Sequence, residues 1–158
     1  MRPTKRKKWS DNNMITIICI GKIKEKYLLE MVNDYYKRIQ KYHKITIIEL
    51  KDDNDIIKET SAISKVLNEK HYNIALDIKG SFYSSNDLAT LIEDTFNHHS
   101  NITFIIGSSN GLDETILNKC NLKISFSKMT FPHGLFRGIL VEQLYRAFKI
   151  NNNESYHK

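Results

Sequence analysis

Two cysteines, two prolines and one tryptophan in 158 residues exclude several kinds of protein at once. Cys19 sits inside an apolar run and Cys120 lies far along the chain, with no CxxC and no Cys/His grouping at zinc-ligand spacing. A disulfide scaffold and a metal site are therefore not expected, and both thiols are expected to be buried in a reducing compartment. Long hydrophobic runs are also missing. "MITIICI" at 14–20 and "FII" at 104–106 fall well short of the roughly 18 apolar residues that cross a bilayer, so no membrane role is expected. Strong charge of one sign is missing too, once the first 13 residues are set aside. "MRPTKRKKWSDNN" holds five Lys/Arg and one Asp, which leaves +2 of the total +6 for residues 14–158. A chain that holds free RNA by charge alone shows a more basic surface than this.

What is present is enough apolar sequence, 41%, for one domain with one sizeable core. The strand signal starts at Met14, so residues 1–13 read as a disordered basic extension and 14–158 as the domain. The extension lacks the apolar centre of a secretory signal, which gives a cytoplasmic expectation. A nucleic-acid arm or an organellar presequence stays open for it.

From Met14 onward the periodicity alternates. "ITIICI" (15–20) is a β-branched run that reads as a buried strand. Leu28, Met31, Val32, Tyr35, Tyr36, Ile39 and Tyr42 then recur at three- and four-residue steps, which predicts a helix over 25–43. Strands are expected at 44–50, 73–78, 102–107 and 122–127. Helical patterns run through Ile56, Ile63, Val66 and Leu67, then through Leu88, Leu91, Ile92 and Phe96 behind Ser and Asp cap signals, then over "LDETILNKC", and finally over 134–150. Strands alternating with helices predict an α/β fold on a mainly parallel sheet, because parallel neighbours need crossover connections.

In such a sheet, ligands bind beyond the carboxyl ends of the strands. Three loops qualify: "LDIKGS" (76–81), "IIGSSNGL" (105–112) and "FSKMTFPHG" (126–134). Their glycines let a ligand approach main-chain amides, and Phe126, Met129 and Phe131 offer an apolar wall, so the three together suit an adenosine-like group. "GSSNG" lacks the Gly-Lys-Ser/Thr ending of a phosphate-binding loop, which argues against a nucleotide triphosphatase.

Taken together, "IIGSSNGL", "ISFSKMTFPH", "LVEQLYRAFKI", the terminal "YHK" and the opening "ITIICIGKIKEKYL" resemble the ribosomal large-subunit methyltransferase H family, small members of the SPOUT methyltransferases. The resemblance spans 14–158 in order. It implies a SPOUT-type sheet with flanking helices and a C-terminal trefoil knot, a homodimer, and S-adenosylmethionine as methyl donor. Position by position it implies cofactor contacts at Leu76, at Gly107 and along Phe126, Ser127, Lys128, Met129, Thr130 and Phe131. It further implies that His133, Arg146, Tyr156 and His157 serve substrate binding and catalysis, with the last two on a flexible tail that closes over the substrate base at the partner subunit's pocket.

The implied reaction is methylation of N3 of a pseudouridine in large-subunit ribosomal RNA, on assembled ribosomes. A non-catalytic ribosome- or RNA-binding factor of the same fold, and a SPOUT methyltransferase acting on transfer RNA, are the alternatives. Two positions depart from the family pattern. Ser108 stands where a second glycine is usual, and would be strained if the loop needs positive φ there. Gly138 stands inside the last helix, where a larger apolar residue is usual, at a cost of about 1 kcal/mol relative to alanine.

Overall fold

The computed structural model describes residues 12–158. The expectation for the basic extension falls, for residues 1–11, outside the described residues. Asn13, just ahead of the first strand, is only 7% exposed.

The β-branched runs form five strands: β1 (Met14–Ile20), β2 (Lys44–Leu50), β3 (Tyr72–Phe82), β4 (Asn101–Ile106) and β5 (Leu122–Ser125). They lie in the order β2-β1-β4-β3-β5 and every pairing is parallel. Such strands are covered on both faces, and their apolar character is continuous rather than alternating. Ile15, Ile17, Ile18, Ile74, Ile102, Phe104 and Ile105 are accordingly all buried. Each such side chain contributes on the order of 2 kcal/mol by leaving water.

Four helices fill the crossovers, α1 (Lys26–Gln40), α2 (Ile56–Val66), α3 (Ser85–Phe96) and the single-turn α4 (Glu114–Leu117), and α5 (His133–Asn151) follows the last strand. One face of the sheet carries the larger core, with Leu28, Val32 and Ile39 of α1, Leu88 and Ile92 of α3, and Leu140, Leu144 and Phe148 of α5. The other face holds a smaller cluster built on Ile18, Ile20, Ile63, Ile105 and Ile116. The start of α3 is fixed by a capping box: the Asp87 amide donates to Ser84 Oγ at 3.0 Å and the Ser84 amide donates to Asp87 Oδ2 at 3.1 Å.

Three differences from the sequence reading have physical causes. The expected strand 122–127 ends at Ser125, because Ser125 Oγ donates to the Ser127 carbonyl (3.0 Å) and the Met129 amide donates to Ser127 Oγ (2.9 Å), turning the chain out of the sheet. The third strand runs on to Phe82 with an irregularity after Leu76, so that Ile124 of β5 is partnered by both Leu76 and Ser81. Segment 77–80 therefore passes over β5, and Gly80 lies so close that a Cβ there would sit 2.7 Å from the backbone of Ile124. Of the α5 residues that the sequence pattern turns toward the core, Leu140, Leu144 and Ala147 are buried, whereas Leu135, Ile139 and Gln143 are only half-buried. The helix packs on α1 and α3 as well as the sheet, and buries Gly134, Arg137, Gly138, Val141, Tyr145 and Phe148 too.

Gly138 gains its reason from that packing. Its missing side chain leaves room for the Met31 sulfur of α1, 3.1 Å from where a Cβ would stand, and Gly134 one turn earlier accommodates Leu28 at 3.3 Å. The helix-propensity cost is thus offset by a close α1–α5 approach.

Candidate functional site

The irregular stretch 76–78 within β3 and the loops leaving β4 and β5 surround a cavity of about 620 Å³. The first of the three expected loops, 76–81, is thus part of a strand, because the chain rejoins β5 at Ser81 and Phe82. Leu76, Ile106, Leu112, Phe126, Phe131 and Phe136 supply apolar walls, and Ser108, Ser109, Ser125, Ser127 and Thr130 supply hydroxyls. Phe136 anchors the wall, with Phe126 at 5.3 Å and Phe131 stacked at 6.3 Å between ring centroids. Of the expected cofactor contacts, Leu76, Gly107, Phe126, Ser127, Met129, Thr130 and Phe131 all line this cavity. Lys128 does not, and its side chain is exposed. Met129 lines the mouth and is 75% exposed, so it forms less of a wall than its neighbours.

The β4 loop turns tightly. The Gly111 amide donates to the Ser108 carbonyl at 2.9 Å, Gly111 has φ +73°, and a Cβ on Gly107 would meet the Gly111 carbonyl oxygen at 2.6 Å. Both glycines are therefore required by backbone geometry. Ser108 is not at positive φ, which removes the strain expected there. Its hydroxyl instead donates to Glu59 Oε1 at 2.6 Å.

His133 opens α5 at the cavity's edge. Its ring rests on Gly21, where a Cβ would lie 3.0 Å from Cε1, and its buried Nδ1 has no hydrogen-bond partner. Gly21 takes φ +96° and is itself held: its amide donates to the Leu50 carbonyl at 2.7 Å and its carbonyl accepts from Arg137 Nη2 at 2.9 Å. Arg137 is 3% exposed and pairs through Nη1 with Glu49 Oε2 at 2.6 Å. Sequence reasoning missed this clamp on the His133 ring. The available signal was an arginine one helical turn after the histidine, on the buried side of α5.

Arg146, Tyr156 and His157 form a second cluster, thirteen residues or more beyond His133 along the chain. At 1.5 Å per residue, Arg146 lies about 20 Å along α5 from His133, so the four expected catalytic residues do not meet within one subunit. Glu142 gathers the second group. Its Oε1 accepts from Arg146 Nε (3.1 Å), Arg146 Nη2 (2.5 Å) and the Tyr156 hydroxyl (3.1 Å). The Arg146 guanidinium also lies 4.7 Å from the Tyr156 ring centroid. Its Nη1 contacts His157 Nδ1 at 3.1 Å, and since a guanidinium can only donate, that ring nitrogen is the acceptor.

The tail reaches back because Asn153 adopts the left-handed conformation (φ 54°) and the Glu154 amide donates to the Lys149 carbonyl at 2.9 Å, ending α5 in a chain reversal. Tyr156 then packs edge-on against Tyr145 at 4.9 Å and shares a 3.1 Å hydrogen bond with the Tyr35 hydroxyl. Glu154 accepts from the Tyr42 hydroxyl (3.0 Å) and pairs with Lys149 (3.1 Å). The tail expected to be flexible is therefore docked on α1 and α5. Burial first, then the Tyr35 hydrogen bond and the Glu142 charge, push the Tyr156 phenol above its ordinary range, so it is a proton donor at neutral pH. The hydrogen bond to Glu142 raises Arg146 further above its already high value.

Cys19 is buried and Cys120 half-buried, and burial pushes each thiol up to about 11. Among the described residues there is no group of three or more His, Cys, Asp or Glu able to hold a metal ion, and no helix long and apolar enough to cross a membrane.

A parallel α/β sheet with a cavity at β3, β4 and β5, and polar residues gathered about the end of the last helix, is shared with the methyltransferases that the chain matches. A family model described as "Predicted SPOUT methyltransferase" matches residues 14–157, and the chain belongs to that family. It is 49% identical over 157 residues to a protein of Clostridium novyi named "Ribosomal RNA large subunit methyltransferase H", covering 91% of this chain and 99% of that one. It is 45% identical, with the same coverage, to a protein of that name from Clostridium acetobutylicum. Among solved structures, a probable methylase family protein from Haemophilus influenzae shares the fold, with TM-score 0.52 at 12% identity, covering 93% of this chain and 70% of that one.

Proposed function

We propose that the protein is a cytoplasmic S-adenosylmethionine-dependent methyltransferase that modifies N3 of a pseudouridine in large-subunit ribosomal RNA, acting on assembled ribosomes as a homodimer. The observation that carries this reading is the cavity itself. It is lined by the middle of β3 and the loops after β4 and β5 in a SPOUT methyltransferase chain that aligns over nearly the full length of relatives named for ribosomal RNA methylation.

The residues fit the donor on structural grounds. The cavity has aromatic and aliphatic sides for an adenine ring, hydroxyls for a ribose and an amino-acid moiety, and a backbone cradle that a Cβ on Gly107 would close. When bound, S-adenosylmethionine supplies an electrophilic methyl group on a sulfonium. Leu76, Gly107 and the stretch Phe126, Ser127, Met129, Thr130 and Phe131 would hold it, with Lys128 directed away toward solvent.

The chain's own task is then to prepare the nucleophile. A pseudouridine N3–H is a weak acid, and its nitrogen attacks well only as the proton leaves. Arg146, kept charged and oriented by Glu142, stabilises the developing negative charge. Tyr156, whose one hydroxyl proton goes to Glu142, keeps its ring beside the Arg146 guanidinium and helps hold that cation where the base would lie. His133, at the edge of the cavity beside the donor, is the imidazole that takes up the single N3 proton, and His157, which accepts from Arg146, helps orient that cation.

The 20 Å separation along α5 supports assembly of each active site from two subunits, with the tail cluster of one facing the cavity of the other. Exposed Ile78 and Met129 at the cavity mouth, with nearby Phe82, provide apolar surface for that contact. The C-terminal trefoil knot is part of the same reading.

The test is transfer of label from S-adenosylmethionine to ribosomes lacking the modification, with free large-subunit RNA and transfer RNA in parallel and the product located by mass spectrometry. Label on one pseudouridine in ribosomes alone is expected. Label in transfer RNA, or none from folded protein, overturns the reading.

A further inference from the structure

We propose that Glu59 of α2 is a positioning residue for the β4 loop, with Ser108 as its partner, and that this pair sets the affinity for the methyl donor. The proposal rests on the cavity being the donor site. Glu59 is 3% exposed, and none of the ion pairs among the described residues involves it. A carboxylate so far from water must be satisfied by hydrogen bonds. Its Oε1 accepts from Ser108 Oγ (2.6 Å) and Asn110 Nδ2 (3.4 Å), and its Oε2 accepts from the Asp53 amide (3.1 Å).

The loop closes the circuit from its side. Ser108 Oγ accepts from the Asn110 amide at 3.1 Å while donating to Glu59, and Asn110 Nδ2 also reaches the Asp53 carbonyl at 3.4 Å. Ser108 lines the cavity and Glu59 does not, so the carboxylate reaches the ligand only through the loop. All three of its partners donate. A glutamine would turn an NH₂ toward one of those donors, and a glycine at 108 would delete the link. The serine is thus one half of a contact whose other half is a buried charge on a different helix.

The test uses the full chain and its variants Glu59→Gln, Ser108→Ala and the double substitution, with S-adenosylmethionine binding followed by calorimetry. Each single change is expected to weaken binding about tenfold, the scale of one hydrogen bond to a charged group. The double change is expected to weaken it about tenfold as well, since the two act through one contact. In methyl transfer, KM for the donor rises with KM for ribosomes unmoved.

Single variants that bind within twofold of the parent overturn the proposal, and so do effects that multiply to about a hundredfold, as independent sites would give. Should Glu59→Gln fail to fold, Ser108→Ala and Asn110→Ala carry the same comparison, because both remove donors to the same oxygen. A parent chain that binds no donor overturns the donor-site reading and this proposal with it. A parent that binds, with variants unaffected, overturns this proposal alone.

Discussion

At Gly107 and Gly80 a single methyl group is expected to have very different consequences. Gly107→Ala pushes a Cβ to 2.6 Å from the Gly111 carbonyl oxygen, in a surface loop that can yield. The fold should survive, and donor affinity measured by calorimetry should fall at least about tenfold as the loop shifts out of its cradle. Gly80→Ala meets the backbone of Ile124 and Lys123 at 2.7 Å, inside the sheet, where nothing can yield cheaply. It should destabilise the protein by about 3 kcal/mol in urea denaturation. His43 gives a pH signature of its own. It is buried, stacked on Phe96 at 4.6 Å and on Phe148 at 5.4 Å, and burial lowers its pKa to about 4. Between the ordinary value near 6.5 and 4 the unfolded chain binds the extra proton, so this contribution is present above pH 6.5 and is lost as pH falls toward 4. Stability should drop by on the order of 3 kcal/mol over that window, and His43→Phe should flatten the slope.

Helix α5 joins the two halves of the proposed site, starting at the cavity with His133 and ending in a reversal that lays the tail back over Arg146. Glu142 is the residue on which that tail arrangement turns, because one carboxylate oxygen holds both Arg146 and Tyr156. Glu142→Ala should release both. Limited proteolysis should then cut near the C terminus faster than in the parent, and methyl transfer should fall at least about tenfold with donor affinity within about twofold. Deleting residues 154–158 should abolish transfer while leaving donor binding largely intact. Full activity from that truncation would remove the tail from the mechanism.

For the whole molecule, the separation between cavity and tail cluster makes a stoichiometric prediction. A pocket variant, Gly107→Ala, assayed at a donor concentration far below its raised Kd, and a tail variant, Arg146→Ala, should each be nearly inactive alone. Mixed in equal amounts through a dissociation step, half the dimers are hybrids, and each hybrid holds one site with an intact cavity facing an intact tail. Activity should return to about one quarter of the parent's, the statistical share for a two-fold symmetric dimer. A mixture that stays inactive would place the whole site within one subunit.

Much of the fold was legible in the residues, because buried parallel strands and amphipathic crossover helices write their periods directly into the chain. β1, β2, β4 and the faces of α1 and α3 follow from local pattern alone. The loops after β4 and β5 were legible too, since glycines and an apolar Phe126–Phe131 stretch fall where those strands end, whereas 76–81 reads as a loop from Gly80 and is in fact the bulged continuation of β3. Local pattern could not reveal what each loop is held by. That Ser108 answers to Glu59, that Arg137 clamps Gly21 beneath His133, and that Gly138 makes room for Met31 are contacts between residues 49, 116 and 107 positions apart. No period or propensity carries such pairs, and the same residue types scattered on a surface would look alike in sequence. The amino-acid order determined which segments become strands and helices. Only the tertiary structure decided which buried charge meets which loop, because that depends on the order of strands in the sheet and on the turn that sends the tail back along α5.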